Sequence, residues 1–253
     1  NHYMEENGLL SNSVNYVKFQ KGAVYIGTKN GLNILRNGEF TSYTKKDGLK
    51  DNMIISSELS ENGWLWIGSY NGICRMKDGK IEQFSPQHPA YSRDVTSIFE
   101  DAEGSLWVTT YRGGMYRFWE GKFTNYSDYS IDFDAPYTVH TIIEKSPKNM
   151  LLVFEEGISE VNLSGKSIVK QEFDNIEVLD KLKTAVLEED GTLWIGGRRG
   201  LMKKTAEGNL VMTSEQGLVN DNVRVITLDS KDQVWIGTFY GVPVLNKSGD
   251  TLR

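Results

Sequence analysis

The sequence predicts an all-β chain, a β-propeller of six four-stranded antiparallel blades, or of seven if the chain is a fragment. Three observations predict it. A strand-turn-glycine phrase recurs at intervals of 41 to 44 residues, each recurrence holds four short strand-like runs, and a second phrase of fixed spacing joins successive recurrences.

The first phrase runs Val24-Tyr25-Ile26-Gly27-Thr28 to Gly31, then Leu65-Trp66-Ile67-Gly68-Ser69 to Gly72, and Leu106-Trp107-Val108-Thr109-Thr110 to Gly113. It returns as Leu193-Trp194-Ile195-Gly196-Gly197 to Gly200 and Val234-Trp235-Ile236-Gly237-Thr238 to Gly241. Met150-Leu151-Leu152-Val153-Phe154 to Gly157 is a degenerate copy that fills the gap. Residues 1–253 are accordingly expected to form a single propeller domain, its repeats anchored on Gly31, Gly72, Gly113, Gly157, Gly200 and Gly241.

Within a repeat the four runs, strands A to D, are clearest in the second: Ile54 to Leu59, Leu65 to Gly68, Ile73 to Met76, and Ile81 to Phe84. Asn62-Gly63, Glu103-Gly104 and Asp190-Gly191 separate A from B with residues that tolerate the positive φ of tight hairpins. The glycine opening strand C stands where a Cβ would hinder the returning chain. At the second place of strand B, Tyr25, Trp66, Trp107, Trp194 and Trp235 alternate with apolar neighbours, a pattern that predicts packing between blades. Burying such a ring is worth about 4–6 kcal/mol at most.

The linking phrase appears as Gly8-Leu9-Leu10-Ser11-Asn12-Ser13-Val14, as Gly48 to Ile54, and as Gly217 to Val223, the glycine always six residues before the apolar opening of strand A. That spacing predicts a defined loop. Tyr3 lies five before Gly8 as Tyr43 lies five before Gly48, so the chain is expected to begin at the end of a strand D and to stop near the start of another. Pairing the two termini in one blade would hide the exposed sheet edges, although the closing strand would be very short.

Composition bounds the partners. Charged residues make up 25% and the net charge is −6, with basic residues dispersed, which argues against a nucleic-acid backbone or an anionic membrane surface. No apolar run reaches the length of a membrane span, so no direct membrane insertion is expected of this segment. The start, Asn1-His2-Tyr3, has neither an initiator Met nor a signal peptide, and reads as that of an excised or processed soluble region. A single cysteine, Cys74, precludes an internal disulfide and a thiolate metal cluster.

The phrase Leu-Trp-Ile-Gly-Thr, the Gly-Leu-x-x-Asn loop and the run Val223-Arg224-Val225-Ile226-Thr227-Leu228-Asp229 with Val234-Trp235 resemble two-component regulator propeller repeats, found in sensor regions of hybrid histidine kinases. Val95 to Asp101 with Gly104-Ser105-Leu106-Trp107 matches likewise. The resemblance implies a noncatalytic periplasmic module that senses a small molecule or oligosaccharide and works with further propeller or signalling domains of the same protein. The family typically has two seven-bladed propellers and an immunoglobulin-like domain; this sequence shows six units and no such domain.

No catalytic, metal or cofactor constellation is predicted. His2, His88 and His140 fall in unrelated places, and no phosphate loop, serine elbow or zinc-protease helix appears. Asp101, Asp190 and Asp229 recur near the A-to-B hairpin, where a carboxylate most simply satisfies turn amides. The B-to-C and D-to-A loops are expected on one face, which provides a binding surface by geometry. Its candidates are Lys29, Asn30, Tyr70, Asn71, Tyr111, Arg112, Arg198, Arg199, Phe239 and Tyr240, with Glu155 and Glu156 in the fourth repeat. Aromatic faces stack on sugar rings, while Arg and Asn donate to hydroxyls or carboxylates. Tyr129 and Tyr137, in a long stretch before the degenerate repeat, are secondary candidates. A lyase resembling the streptogramin-type propellers, or a protein-interaction scaffold, are the alternatives.

Overall fold

The computed structural model describes residues 4–83, 94–111, 114–125, 138–164, 167–171, 176–228, 233–238 and 243–246. The chain is a six-bladed β-propeller of small antiparallel sheets, and it divides into two compact units, Asn1–Val139 and His140–Arg253. The first unit holds β1 (Val14–Gln20), β2 (Ala23–Thr28), β3 (Gly31–Arg36) and β4 (Glu39–Tyr43), then β5 (Ile54–Leu59), β6 (Leu65–Ser69), β7 (Gly72–Lys77) and β8 (Lys80–Gln83). Its third sheet is β9 (Val95–Glu100), β10 (Leu106–Thr110), β11 (Gly114–Trp119) and β12 (Lys122–Asn125). The second unit holds β13 (Thr141–Ser146), β14 (Asn149–Phe154), β15 (Gly157–Asn162) and β16 (Ser167–Gln171), followed by β17 (Leu182–Leu187), β18 (Leu193–Gly197), β19 (Gly200–Lys204) and β20 (Asn209–Met212). Its last sheet is β21 (Val223–Leu228), β22 (Val234–Thr238) and β23 (Val244–Leu245).

In every sheet the strands pair in chain order, A to B to C to D, so each repeat is one blade. Five blades have four strands, as expected, and the sixth has three among the described residues. The short strand expected to close that blade, at Tyr3 and beyond Lys247, lies outside the described residues. No helix among the described residues is long and apolar enough to cross a membrane.

Turn chemistry closes the hairpins. Asn37-Gly38, Asp78-Gly79 and Glu120-Gly121 each hold two consecutive positive φ values between strands C and D, the backbone of a two-residue hairpin whose twist matches the strands. The linking phrase forms one loop three times. A 3-10 turn spans Glu5–Asn7, Lys45–Asp47 and Ser214–Gln216, ends on Gly8, Gly48 or Gly217 at φ 102°, 110° or 108°, and is followed by a buried leucine, Leu9, Leu49 or Leu218. The side chains of Asn12, Asn52 and Asp221 accept from the first amide of their turns. The recurring spacing therefore encodes a cap for the first exposed N–H group of the turn.

The core lies between blades. The glycine of strand B leaves room for the apolar residue opening strand A of the next blade: a Cβ on Gly68 would sit 2.5 Å from Val95 Cγ1, and one on Gly196 would sit 2.4 Å from Val223 Cγ1. Beside these contacts the strand B aromatics Tyr25, Trp66, Trp107 and Trp194 are buried, and Phe118 meets Trp66 edge-on with ring centroids 4.9 Å apart. Trp235 departs from the expectation of burial. It is 40% exposed. In the degenerate fourth blade Leu151 occupies the aromatic's place and is buried with Met150 and Leu152, so apolar packing rather than an indole preserves the strand.

Candidate ligand-binding site

Each B-to-C loop is two residues long where it is described, and its backbone is tied to the segment entering strand A of the same blade. The amides of Lys29, Tyr70, Tyr111 and Arg198 donate to the carbonyls of Ser13, Met53, Asp94 and Lys181 at 2.8 to 3.1 Å. The loops expected to share a face therefore do so within each of these blades. Thr28 and Ser69, the last residues of their strands B, tighten the turn by donating from the hydroxyl to the carbonyls of Gly31 and Gly72.

The predicted site residues divide by what their side chains do. Asn30 donates through Nδ2 to the Leu10 carbonyl at 3.3 Å, and Asn71 donates to the Asp51 carboxylate at 3.1 Å, so both amides brace the B-to-C loop against the D-to-A loop. Tyr70 and Tyr111 keep half of their surface open, at 53% and 47%, and Lys29, Arg198 and Arg199 are exposed as well. Arg112, Phe239 and Tyr240 lie outside the described residues, as do the secondary candidates Tyr129 and Tyr137 and the histidines His2 and His88. The anchors Gly113 and Gly241 and the carboxylate Asp229 do so too.

The second unit gathers the densest charge. Glu155, first in its B-to-C loop, accepts from Lys181 Nζ at Oε2, 2.5 Å away, and from Lys183 Nζ at Oε1, 2.6 Å away. His140 Nε2, buried and without a hydrogen-bond partner, lies 3.7 Å from the same Oε1. Arg198 stands 4.0 Å from Asp180, the residue next to Lys181. Thus Glu155, Arg198 and His140, each noted in the sequence, are brought together with Asp180, Lys181 and Lys183, which sequence reasoning missed. The signal was present: two lysines flank Leu182, whose side chain is buried, so the alternation of a strand puts both ammonium groups on the open side.

These contacts set the charge states. Hydrogen bonds from Lys181 and Lys183 hold the Glu155 carboxyl down at about 2, and the same bond raises Lys181. Burial, reinforced by the positive charge of Lys183, lowers His140 to about 4, outweighing the attraction of Glu155. At neutral pH the cluster therefore holds an ionised carboxylate, two ammonium groups and a neutral imidazole. A divalent cation does not fit there, because both carboxylate oxygens already face ammonium groups.

The hairpin carboxylates behave as turn anchors. Asp101 Oδ1 accepts from the amides of Glu103 and Ser105, and Asp190 accepts from the Thr192 amide at 2.9 Å. Asp101 Oδ2 also accepts from Trp107 Nε1, while in the fifth blade Glu188, not Asp190, takes the indole N–H of Trp194.

Residues 92–112 and 217–240 match the model of the two component regulator propeller. They are the strand A and strand B stretches of blades three and six, with the linking loop before blade six, whose geometry is set out above. No curated protein matches the sequence. Among solved structures, the chain superposes on the extracellular domain of BT3049 from B. thetaiotaomicron, described as a hybrid two component system, at 21% identity and a TM-score of 0.80. That match covers 100% of this chain and 36% of the other. The extracellular domain of BT4673 from the same organism gives 19% identity and a TM-score of 0.74, covering 94% of this chain and 33% of that one. Virginiamycin B lyase from Staphylococcus aureus gives 17% identity and a TM-score of 0.73, covering 95% of this chain and 83% of the lyase. At these identities the likenesses show the fold alone. The chain spans about a third of the length of the two-component relatives.

Proposed function

We propose that this chain is a noncatalytic ligand-sensing propeller of a hybrid two-component signalling protein, that it works in the periplasm, and that it recognises an oligosaccharide carrying acidic groups. The observation that carries the reading is the open loop face of the second unit, where Lys181, Lys183 and Arg198 converge on a preformed charged cluster. Separately, within the first unit, exposed Tyr70 and Tyr111 present aromatic faces of the kind on which sugar rings stack. The regulator repeats and the extracellular two-component relatives support the sensor role; output would come from domains beyond this chain.

A thermal-shift screen with neutral and uronate-bearing oligosaccharides tests it. A ligand present at about one hundred times its dissociation constant adds about 2.7 kcal/mol of stability. The shift should be largest for uronate-bearing glycans and should vanish in the double variant Arg198→Ala/Arg199→Ala. A second reading, a lyase, is favoured by the single His140–Glu155 juxtaposition. Against it, the two lysines leave that pair unfit for a divalent ion. Turnover of a small substrate with no glycan response would replace the sensor reading.

A further inference from the structure

Glu155 stands in a place where other blades carry Lys29, Tyr70, Tyr111 or Arg198, and it is the acidic exception. Its backbone is pinned, since its carbonyl accepts from the Leu182 amide at 2.9 Å. Its side chain is held instead by contacts to other side chains. It is partly exposed, and it meets the two ammonium groups and, 3.7 Å away, the imidazole. The lysines, by contrast, flank buried Leu182, and the neighbouring amide of Arg199 is bound to the carbonyl of buried Leu179. The backbone that carries the lysines therefore stays in place if the carboxylate swings away. An oxyanion is what two convergent ammonium groups and a neutral imidazole nitrogen recognise.

We propose that Lys181, Lys183 and His140 form an oxyanion subsite that the unliganded protein fills with its own Glu155 carboxylate, and that a carboxylate or sulfate group of the ligand enters by displacing that side chain. The identity of the ligand rests on the sensor reading above; the subsite does not. Glu155 acts as an internal competitor. It keeps two ammonium groups neutralised while the site is empty and lowers apparent affinity for every anion by the cost of moving aside. His140 Nε2, without a partner now, gains one in the bound state.

Inorganic sulfate, titrated calorimetrically against a chloride control of equal ionic strength, tests the subsite in the whole chain. Glu155→Gln should bind sulfate at least about tenfold more tightly than the wild-type protein. Adding Lys183→Met to that variant should remove the gain. Equal sulfate affinity with and without Glu155, or a gain that survives Lys183→Met, overturns the proposal. Should Glu155→Gln not fold, the wild-type protein still decides: saturating sulfate must shift the His140 ring resonances, and an unmoved His140 overturns it. A failed glycan screen beside tight sulfate binding by Glu155→Gln removes the carbohydrate reading and leaves the subsite. A glycan shift without that gain does the opposite.

Discussion

The indole N–H of Trp107 donates to the carboxylate of Asp101, six residues earlier in the chain, at 2.7 Å, and both side chains are buried. The same carboxylate accepts the amides of Glu103 and Ser105, so one acidic residue closes the A-to-B hairpin and satisfies the strand B tryptophan. Trp194 and Glu188 repeat the pairing across the same six residues at 2.6 Å.

Replacing Asp101 by Ala strands three donors, of which the indole is fully buried. Leaving buried donors unpaired costs about 1–3 kcal/mol each, with partial relief from water at the turn, so a loss of about 2–4 kcal/mol is expected. Urea unfolding of the variant measures it. Asp101→Asn, which keeps an acceptor oxygen, should lose less; equal losses for the two variants would show that the indole bond contributes nothing.

Gly196 and Val223 meet where blade five receives blade six. A Cβ on Gly196 would lie 2.4 Å from Val223 Cγ1 and 2.8 Å from Thr184 Cγ2, so Gly196→Ala should cost about 1–3 kcal/mol through overpacking. Val223→Ala removes one of those obstacles. In a double-mutant cycle the pair should lose less than the sum of the singles, and strict additivity would contradict the contact.

Two tryptophans at one repeat position should differ sharply. Trp194 is fully buried and its truncation to Ala should cost about 3–5 kcal/mol, whereas Trp235, 40% exposed, should cost about 2 kcal/mol or less. Denaturation midpoints of the two variants, taken at equal slope, give the comparison directly. A Trp235→Ala loss as large as that of Trp194→Ala would mean that the exposed indole is packed in solution.

Acid sensitivity should begin at His140. Its folded value of about 4 lies below the ordinary 6.5, so between those limits the unfolded chain binds a proton that the folded chain refuses, and stability falls as pH drops through that window. Glu155 adds a second loss lower down: its stabilising ion pairs, complete above its ordinary value of 4.5, disappear as pH falls toward about 2. Denaturant midpoints measured at pH 7 and pH 5 should converge in His140→Gln relative to the wild-type protein. An unchanged difference would remove His140 as the cause.

Most of the blade was legible before any coordinates. Strand A of the second blade runs Ile54–Leu59 as expected, strand B runs one residue further at its end, and strand C one residue further at each end. Gly63, Gly104 and Gly191 hold the positive φ that their hairpins require. The linking loop was legible as a spacing, though not as a 3-10 turn, because its turn depends on a side chain seven residues on, such as Asn52, returning to the Lys45 amide. The meeting of the B-to-C and D-to-A loops within a blade was legible. Their internal division was not: nothing local distinguishes Asn71, bound to Asp51, from Tyr70, half open beside it.

The sequence by itself determined the period, the order of strands in each blade and the turns between them, since alternation and positive-φ glycines act over a few residues. Tertiary structure alone decided that Glu188 rather than Asp190 serves Trp194, that Trp235 stays open, and that Glu155 is held by lysines 26 and 28 residues away. The reason is physical: such pairs are set by how neighbouring sheets bring loop side chains together, and loops carry no periodic pattern from which that meeting can be read.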